Sequence, residues 1–518
     1  MGVLGGRSKI AAGIFIVLLI STIIVYFGYL SPQQRAERHL DFVHQSINEM
    51  HPAILEPDAT AFLDWHKNGY QKAKELLPLV RTQADEIALL NFYLAGYQDA
   101  HIVGSLDHTP FQIYDASTEV WTGWLLKATN NGYLVTYSKK GEAYPPMNSR
   151  LISCDNQEID TLLKERYSPY IDRRWHIIKT RDLAAKALTQ ERATVGILDR
   201  PDLKQCEFEI NNTIKTYPIN WLAISDDQAA VIQSHYQYPY HLPSLFQPAP
   251  DTVWVRARDF GLYTAEAAKS QQQLLQDIST LAPNNNMFIL DARGNGGGNS
   301  MNGANIISAI FGHDEQALQY LGNQYNYRNQ GAQAIYRASW QLYWSNDYSY
   351  KKVIANEGKE SEHAQYLEQF LVRLKSTLDA GKQSLPQNET PIEYNGGDTP
   401  TDEWRSTTKL VLITDKTCVS SCLDFVDSIK LLPNALHLGE PTDADTAYTE
   451  IAFMQSLYAK ETFNFLVPVK KWNKRLREDN QPYIPNVLYE GDMNDDAALQ
   501  QWVLAQAEQH FNEPVVKN

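Results

Sequence analysis

Two short stretches hold residues whose types and spacing could do chemistry. The first is Met287 to Gly303, MFILDARGNGGGNSMNG, where an apolar run ends in Asp291 and Arg293, Asn295 and four glycines within five residues follow. A dinucleotide loop requires G-x-G-x-x-G between a strand and a helix. Gly294 and Gly296 fill its first two positions, but Asn299 stands at the third. No acidic residue closes a second strand about 20 residues on, and the G-K-[ST] of a phosphate loop is absent. Two readings remain. One is a tight strand-to-helix turn that needs positive φ. The other is a pocket of backbone N–H groups facing a developing oxyanion, where the missing Cβ lets a carbonyl approach. The second reading requires a nucleophile, and KTCVSSCLDF after the apolar run KLVLITD offers one. Ser421 falls at the expected N-terminus of a helix, where free N–H groups and the helix dipole favour negative charge. An N-cap serine is the ordinary alternative, but Ser420 can serve as that cap and leave Ser421 free.

The elements that must carry these residues alternate. From Val253 the chain reads strand (VWVRARDF), helix (AEAAKSQQQLLQDISTLA), strand (MFILDA), glycine loop, helix (NGANIISAIFG), the pattern of an α/β layer. Residues 313–405 interrupt the rhythm with a polar, aromatic and helical insertion; KLVLITD, SCLDFVDSIKLL and ALHLGEP then resume it. The catalytic core is therefore expected over 250–312 and 406–518, with 313–405 as a helical lid. Residues 31–103 read as helices, with Leu40, Val43, Ile47 and Met50 spaced three and four apart. Residues 104–225 read as a β-rich module of short strands and turns, interrupted by a helical segment near 159–195. CEFEINNTIKTYPINWLAI looks like a hairpin, and HLPSLFQPAP like a proline-rich linker into the core.

The N-terminal 30 residues form their own class. Residues 1–9 carry Arg7 and Lys9, and Ile10 to Leu30 runs 21 residues without a charge, long enough to span the roughly 30 Å bilayer core. The preceding positive charges favour a cytoplasmic tail, and no small-x-small cleavage site follows. The expectation is an uncleaved, single-pass signal anchor over 10–30, with everything after it on the periplasmic or extracellular side of the inner (cell) membrane. The 518 residues are enough for about two to four domains. A net charge of −15 argues against nucleic acid as partner. The histidines are scattered, so neither metal nor cofactor is expected. Four cysteines, Cys154, Cys206, Cys418 and Cys422, allow three pairings.

Taken in order, ILDARGNGGG, TCVSSCLDF and HLGEPTDADT resemble the carboxyl-terminal processing (tail-specific) and tricorn-like serine peptidases. The family's D-x-R-x-N-x-G-G is matched by Asp291, Arg293, Asn295, Gly297 and Gly298. Its nucleophile motif S-[AC]-x-[ED] is matched by Ser421, Cys422, Leu423 and Asp424, and its G-x-x-T turn by Gly439, Glu440, Pro441 and Thr442. The resemblance implies a ClpP/crotonase-like α/β spiral with a degenerate PDZ-like module at 104–225. It also implies a serine peptidase that hydrolyses peptide bonds of peptide or protein substrates through an acyl-enzyme.

The processing branch places a catalytic lysine after the G-x-x-T turn, but here Asp445 or Thr446 fills that slot. The tricorn-like branch uses a histidine in a D-x-H context, matched by Asp99 and His101, and a glutamate before a proline-ended segment, matched by Glu478 in RLREDNQPYIP. Ser421, His101 and Glu478 are thus the implied catalytic group, with Lys416 as the alternative base. Gly296, Gly297, Gly298 and the Cys422 amide are the implied oxyanion hole. The missing lysine also motivates a different reading, a non-catalytic peptide- or ligand-binding protein on the same fold.

Overall fold

The computed structural model describes residues 30–108, 119–191, 196–236, 241–396, 400, 403–433, 435–458 and 461–512. The expected anchor over 10–30 lies, but for Leu30, outside them. No described helix is long and apolar enough to cross a membrane.

Helix α1 (Pro32–Met50) opens on a reciprocal cap. Ser31 Oγ accepts from the Gln34 amide, the Gln34 side chain returns to the Ser31 amide, and Pro32 fits the first turn. Its Leu40, Val43, Ile47 and Met50 are buried, against α2 (Gln83–Ala95), which Thr82 and Asp85 cap in the same way. The chain then forms β1 (Gly104–His108) and enters the β-rich module. There β2 (Trp124–Thr129), β3 (Gly132–Ser138), β4 (Arg150–Cys154), β5 (Gln205–Ile210) and β6 (Thr213–Pro218) form an antiparallel sheet, with the two-residue strand Gln157–Glu158 beside β4. Helix α3 (Ile178–Thr189) packs on it. The expected hairpin is β5–β6, turned by Asn211 and Asn212 at φ 49° and 63°, the left-handed pair that a two-residue hairpin turn demands. The module has a separate core, which includes Trp124, Leu162, Leu188 and Phe208.

Residues 241–250 are not the expected linker. Ser244–Ala249 is a strand, β7, antiparallel to β8 (Thr252–Arg256). Pro248 is tolerated because β7 lies at the sheet edge and the register shifts between Phe246 and Ala249. After α4 (Ala265–Leu281) comes β9 (Met287–Asp291), then α5 (Ser300–Phe311). The insertion supplies α6 (Glu315–Arg328), β10 (Ala334–Arg337), α7 (Trp340–Glu357), α8 (Glu362–Asp379) and β11 (Ser384–Pro386). The chain resumes with β12 (Lys409–Thr414), α9 (Ser421–Ile429), β13 (Leu436–Gly439), the hairpin β14 (Tyr448–Tyr458) and β15 (Glu461–Trp472), β16 (Val487–Leu488) and α10 (Asp496–Asn512).

The central sheet runs β7-β8-β9-β12-β13-β16, parallel from β8 onward. Helices cover both faces, which is why MFIL and KLVLI are continuous apolar runs rather than alternating ones. One face packs on α4, α5 and α9 through Phe288, Leu290, Leu412 and Phe425. The other packs on α10 through Ile289, Val411, Leu499 and Val503. A second sheet runs β1-β15-β10-β11, with β14 on β15. Its core joins α1 and α2 to the insertion, with Val43, Leu94, Phe463, Leu342 and Phe370 in one cluster. The insertion is therefore partly a sheet component as well as a helical unit.

Candidate active site

Strands β9 and β12 are adjacent and parallel, so the glycine loop and the serine turn leave the sheet side by side. Each loop is tied down by a buried carboxylate. Asp291, fully buried, receives Arg293 Nε and Nη2, both at 2.8 Å, and Arg258 Nη2 at 2.7 Å. These guanidiniums hold its pKa far below the usual carboxylate range although burial opposes them. Arg293 continues to Asp496 at 2.8 Å and to the Met493 carbonyl, clamping the loop to the start of α10. Asp415, at the end of β12, accepts from the Thr417 amide at 2.8 Å and from the Gly294 amide at 2.9 Å. One carboxylate thus links the two loops.

The glycines are required by closeness and by backbone sign. Gly297 has φ +98°, and a Cβ there would lie 2.8 Å from Ser420 Cβ and 2.9 Å from the Val419 carbonyl oxygen. At Gly298 (φ +131°) it would overlap the Phe260 backbone at 2.3 Å. The loop is therefore seated on the residues just before Ser421. Ser300 Oγ also donates to Asp424 Oδ2 at 2.7 Å, joining the first turns of α5 and α9.

Ser421 is the first residue of α9. Ser420 holds the N-cap position, but its side chain makes no capping bond, so the expected capping role does not occur. Its backbone sits instead at φ 59°, ψ −126°, a conformation costing on the order of 1–3 kcal/mol that surrounding structure must hold in place. Ser421 is buried, and its Oγ makes no hydrogen bond within the described residues. Cys418 and Cys422 form a disulfide on either side of it, and the other bridge joins Cys154 to Cys206 across β4 and β5. Of the expected oxyanion donors, the Gly297 amide donates to Asn295 Oδ1 at 2.9 Å and the Cys422 amide to the Val419 carbonyl at 3.2 Å. Gly296 has open space where a Cβ would stand.

His101 lies in the turn after α2. Its Nδ1 is 3.5 Å from Asp99 Oδ1, and neither ring nitrogen is hydrogen-bonded within the described residues. Asp99 Oδ1 accepts the His101 amide at 2.8 Å, and Oδ2 accepts the Thr446 hydroxyl at 2.8 Å. On its far side, His51 Nε2 lies 3.7 Å from Oδ2. The Ala53 amide donates to His51 Nδ1 at 3.1 Å, which leaves the proton on Nε2, facing Asp99. Burial pushes the His101 pKa down, but the Asp99 contact and charge, with Asp445 behind them, outweigh it and leave it above 6.5. His51 is also buried and remains lowered, hence neutral.

Asp445 and Thr446 occupy the slot of the missing lysine, and both are used. Thr446 fixes Asp99. Asp445 receives Arg475 Nη1 at 2.7 Å and Arg477 Nη2 at 3.0 Å. Arg477 also reaches Asp424 at 2.9 Å and Asp427 on α9. This chain of charges joins the surroundings of His101 to the helix that begins at Ser421. Glu478 sits apart from it: its carboxylate is exposed, and its backbone carbonyl receives Arg475 at 3.5 Å. Lys416 is partly buried, 2.7 Å from Asp182, and its pKa is raised by that partner against the effect of burial. Sequence reasoning missed His51 and Arg477, and it used Asp99 only to recognise His101. The one available signal was the departure at Asp445 and Thr446.

Residues 251–479 match the family model for peptidase family S41. No match was found among curated proteins. The crystal structure of mature CPAF is similar in fold, with a TM-score of 0.59 at 11% identity over 94% of this chain and 99% of that one. Mature CPAF complexed with lactacystin gives a TM-score of 0.58 at 11% identity, over 93% and 100% of the two chains. The ordered motifs, the paired loops that carry them and the family match agree: the chain is a serine-type peptidase whose residues 251–479 match peptidase family S41.

Proposed function

We propose that Ser421 is the nucleophile, His101 the general base and Asp99 the group that orients it, in peptide-bond hydrolysis through an acyl-enzyme. The observation that carries this reading is the placement of Ser421. It is the first residue of a helix, behind a strained residue, with its Oγ unpartnered among the described residues and the glycine loop seated on the turn before it. In the first step His101 takes the Oγ proton as Oγ attacks the scissile carbonyl. The imidazolium, stabilised by Asp99, then protonates the departing amine, and water attacks the acyl-serine by the reverse sequence. Gly296, Gly297, Gly298 and the Cys422 amide are the donors we assign to the oxyanion. The amides of Gly297 and Cys422 must exchange their present loop acceptors for it. Lys416 is a poor base because its Asp182 partner favours the protonated form. The resemblance assigns the orienting role to Glu478, whereas the contacts favour Asp99, the carboxylate beside His101.

The substrates are peptides or proteins. We read the β2–β6 sheet with α3 as the PDZ-like module, the α/β core as the spiral the family resemblance implies, and residues 10–30 as an anchor that leaves the catalytic part outside the cytoplasm. Two disulfides in the described chain suit an oxidising compartment. Fluorophosphonate labelling tests the assignment. Intact protein should be labelled at Ser421 and Ser421→Ala should not. Failure to label the intact protein would sink it. Recovery in the membrane fraction after a high-salt wash, with an N-terminus near Met1, tests the anchor.

A further inference from the structure

The Cys418–Cys422 disulfide encloses the residues on which the chemistry of the proposed site depends. Between its ends lie Val419, the left-handed Ser420 and Ser421. The first half of this segment is held by Asp415, through the Thr417 amide and hydroxyl and through its own carbonyl, which accepts the Cys418 amide at 3.1 Å. The second half is the opening turn of α9. Val419 and Ser420 lie between them, and Ser420 lacks the side-chain bond that ordinarily holds an N-cap. A rotation at Ser420 toward commoner backbone angles would swing the Ser421 hydroxyl and the Cys422 amide together. The disulfide spans that hinge: its two Cα atoms are 5.3 Å apart, and both cysteines are fully buried in the apolar cluster beneath α9.

The two disulfides of the chain differ in what they can do. Cys154–Cys206 closes a separation of 52 residues and joins two strands, whereas Cys418–Cys422 closes only four. Loop-closure entropy grows with the enclosed length, so the short bridge is the weaker stabiliser of the folded chain. Its effect is concentrated on local geometry. We infer that Cys418–Cys422 is a positioning clamp for the nucleophile turn, holding Ser420 in its strained conformation so that the Ser421 hydroxyl and the Cys422 amide stay aimed at one substrate carbonyl. This inference rests on the assignment of Ser421 as nucleophile.

The test compares the full chain with Cys418→Ala, in which the bridge is lost but no proposed catalytic group is altered, and with Cys154→Ala/Cys206→Ala as control. Three quantities are read: fluorophosphonate labelling rate, kcat and KM on a fluorogenic peptide, and the thermal midpoint. In Cys418→Ala, kcat and the labelling rate should fall together by about tenfold or more, by analogy with loss of oxyanion-hole geometry, while KM stays within about threefold. The control should show the opposite pattern, a lower thermal midpoint with kcat retained. Cys418→Ser serves as a second bridge-breaking variant should the alanine form not fold. Wild-type kcat and labelling rate in either folded variant would overturn the clamp. Absence of labelling in the intact chain would instead remove the Ser421 assignment, and the clamp with it.

Discussion

At the scale of single residues, the proposed mechanism makes the charge state of His101 set the pH dependence. Burial alone would lower its pKa, yet Asp99 and Asp445 leave it raised. As a stability term, this contribution is present below the unfolded value of about 6.5 and is lost as pH rises through the folded pKa. As a catalytic term it has the opposite sign, because the base must be neutral. The acid limb of kcat/KM should therefore have its midpoint above 6.5. Asp99→Asn removes the nearest negative charge, so the midpoint should move down while kcat falls roughly a hundredfold. A pH profile that kept its midpoint would separate Asp99 from His101. Glu478→Gln, at the exposed position, should leave the midpoint unchanged; a shift in that variant instead would return the orienting role to Glu478. The place of Ser421 at the head of a helix was legible in the sequence because its motif is contiguous and follows an apolar strand. The company of His101 was not. Thr446 and His51 meet Asp99 from distant parts of the chain, and no local spacing announces such a meeting.

At the scale of elements, two adjacent parallel strands deliver the glycine loop and the serine turn to the same end of the sheet. That much follows from alternating strands and helices, and it was legible in the continuous apolar runs. Less legible was the strand at 244–249, because prolines read as linker unless the edge position is known. The hairpin of β14 and β15 was also hidden. Its alternation is interrupted, and β15 is covered by partners far away in sequence, β1 and β10. The contact between loops gives a sharp prediction. Gly297→Ala places a methyl against Ser420 Cβ and the Val419 carbonyl and forces a left-handed backbone on alanine. The backbone term alone costs roughly 1–2 kcal/mol. The cheapest relief is a shift of the Val419–Ser420 segment, so kcat should fall by about tenfold or more with the overall circular dichroism unchanged. Unaltered kcat in a folded Gly297→Ala would mean that the turn tolerates displacement and that its geometry is not critical.

At the scale of the whole molecule, the sequence suggests a core with a removable lid, and the packing changes that expectation. Residues 313–405 do sit between the glycine loop and the serine turn in the chain. However, β10 pairs with β15 from Ala334 opposite Trp472 to Tyr336 opposite Lys470. Gln341 of α7 donates to Ser46 of α1 at 3.0 Å. Leu342, Phe370, Leu374 and Leu385 are buried in the same cluster as Leu40, Leu94 and Phe465. Replacing 315–403 by a short flexible linker would expose that cluster, and loss of even one such side chain typically costs about 2–5 kcal/mol. Because His101 and Asp99 follow directly from α2, loosening this core should also disturb the base. The deletion variant is therefore expected to lose its cooperative thermal transition, or to unfold at a markedly lower temperature, and to lose hydrolysis of short peptides as well as of proteins. A lid with no structural role predicts a different result: an unchanged thermal midpoint, with cleavage of bulky proteins raised relative to short peptides. Calorimetry and the ratio of the two activities, measured on one preparation, distinguish a scaffold from a lid.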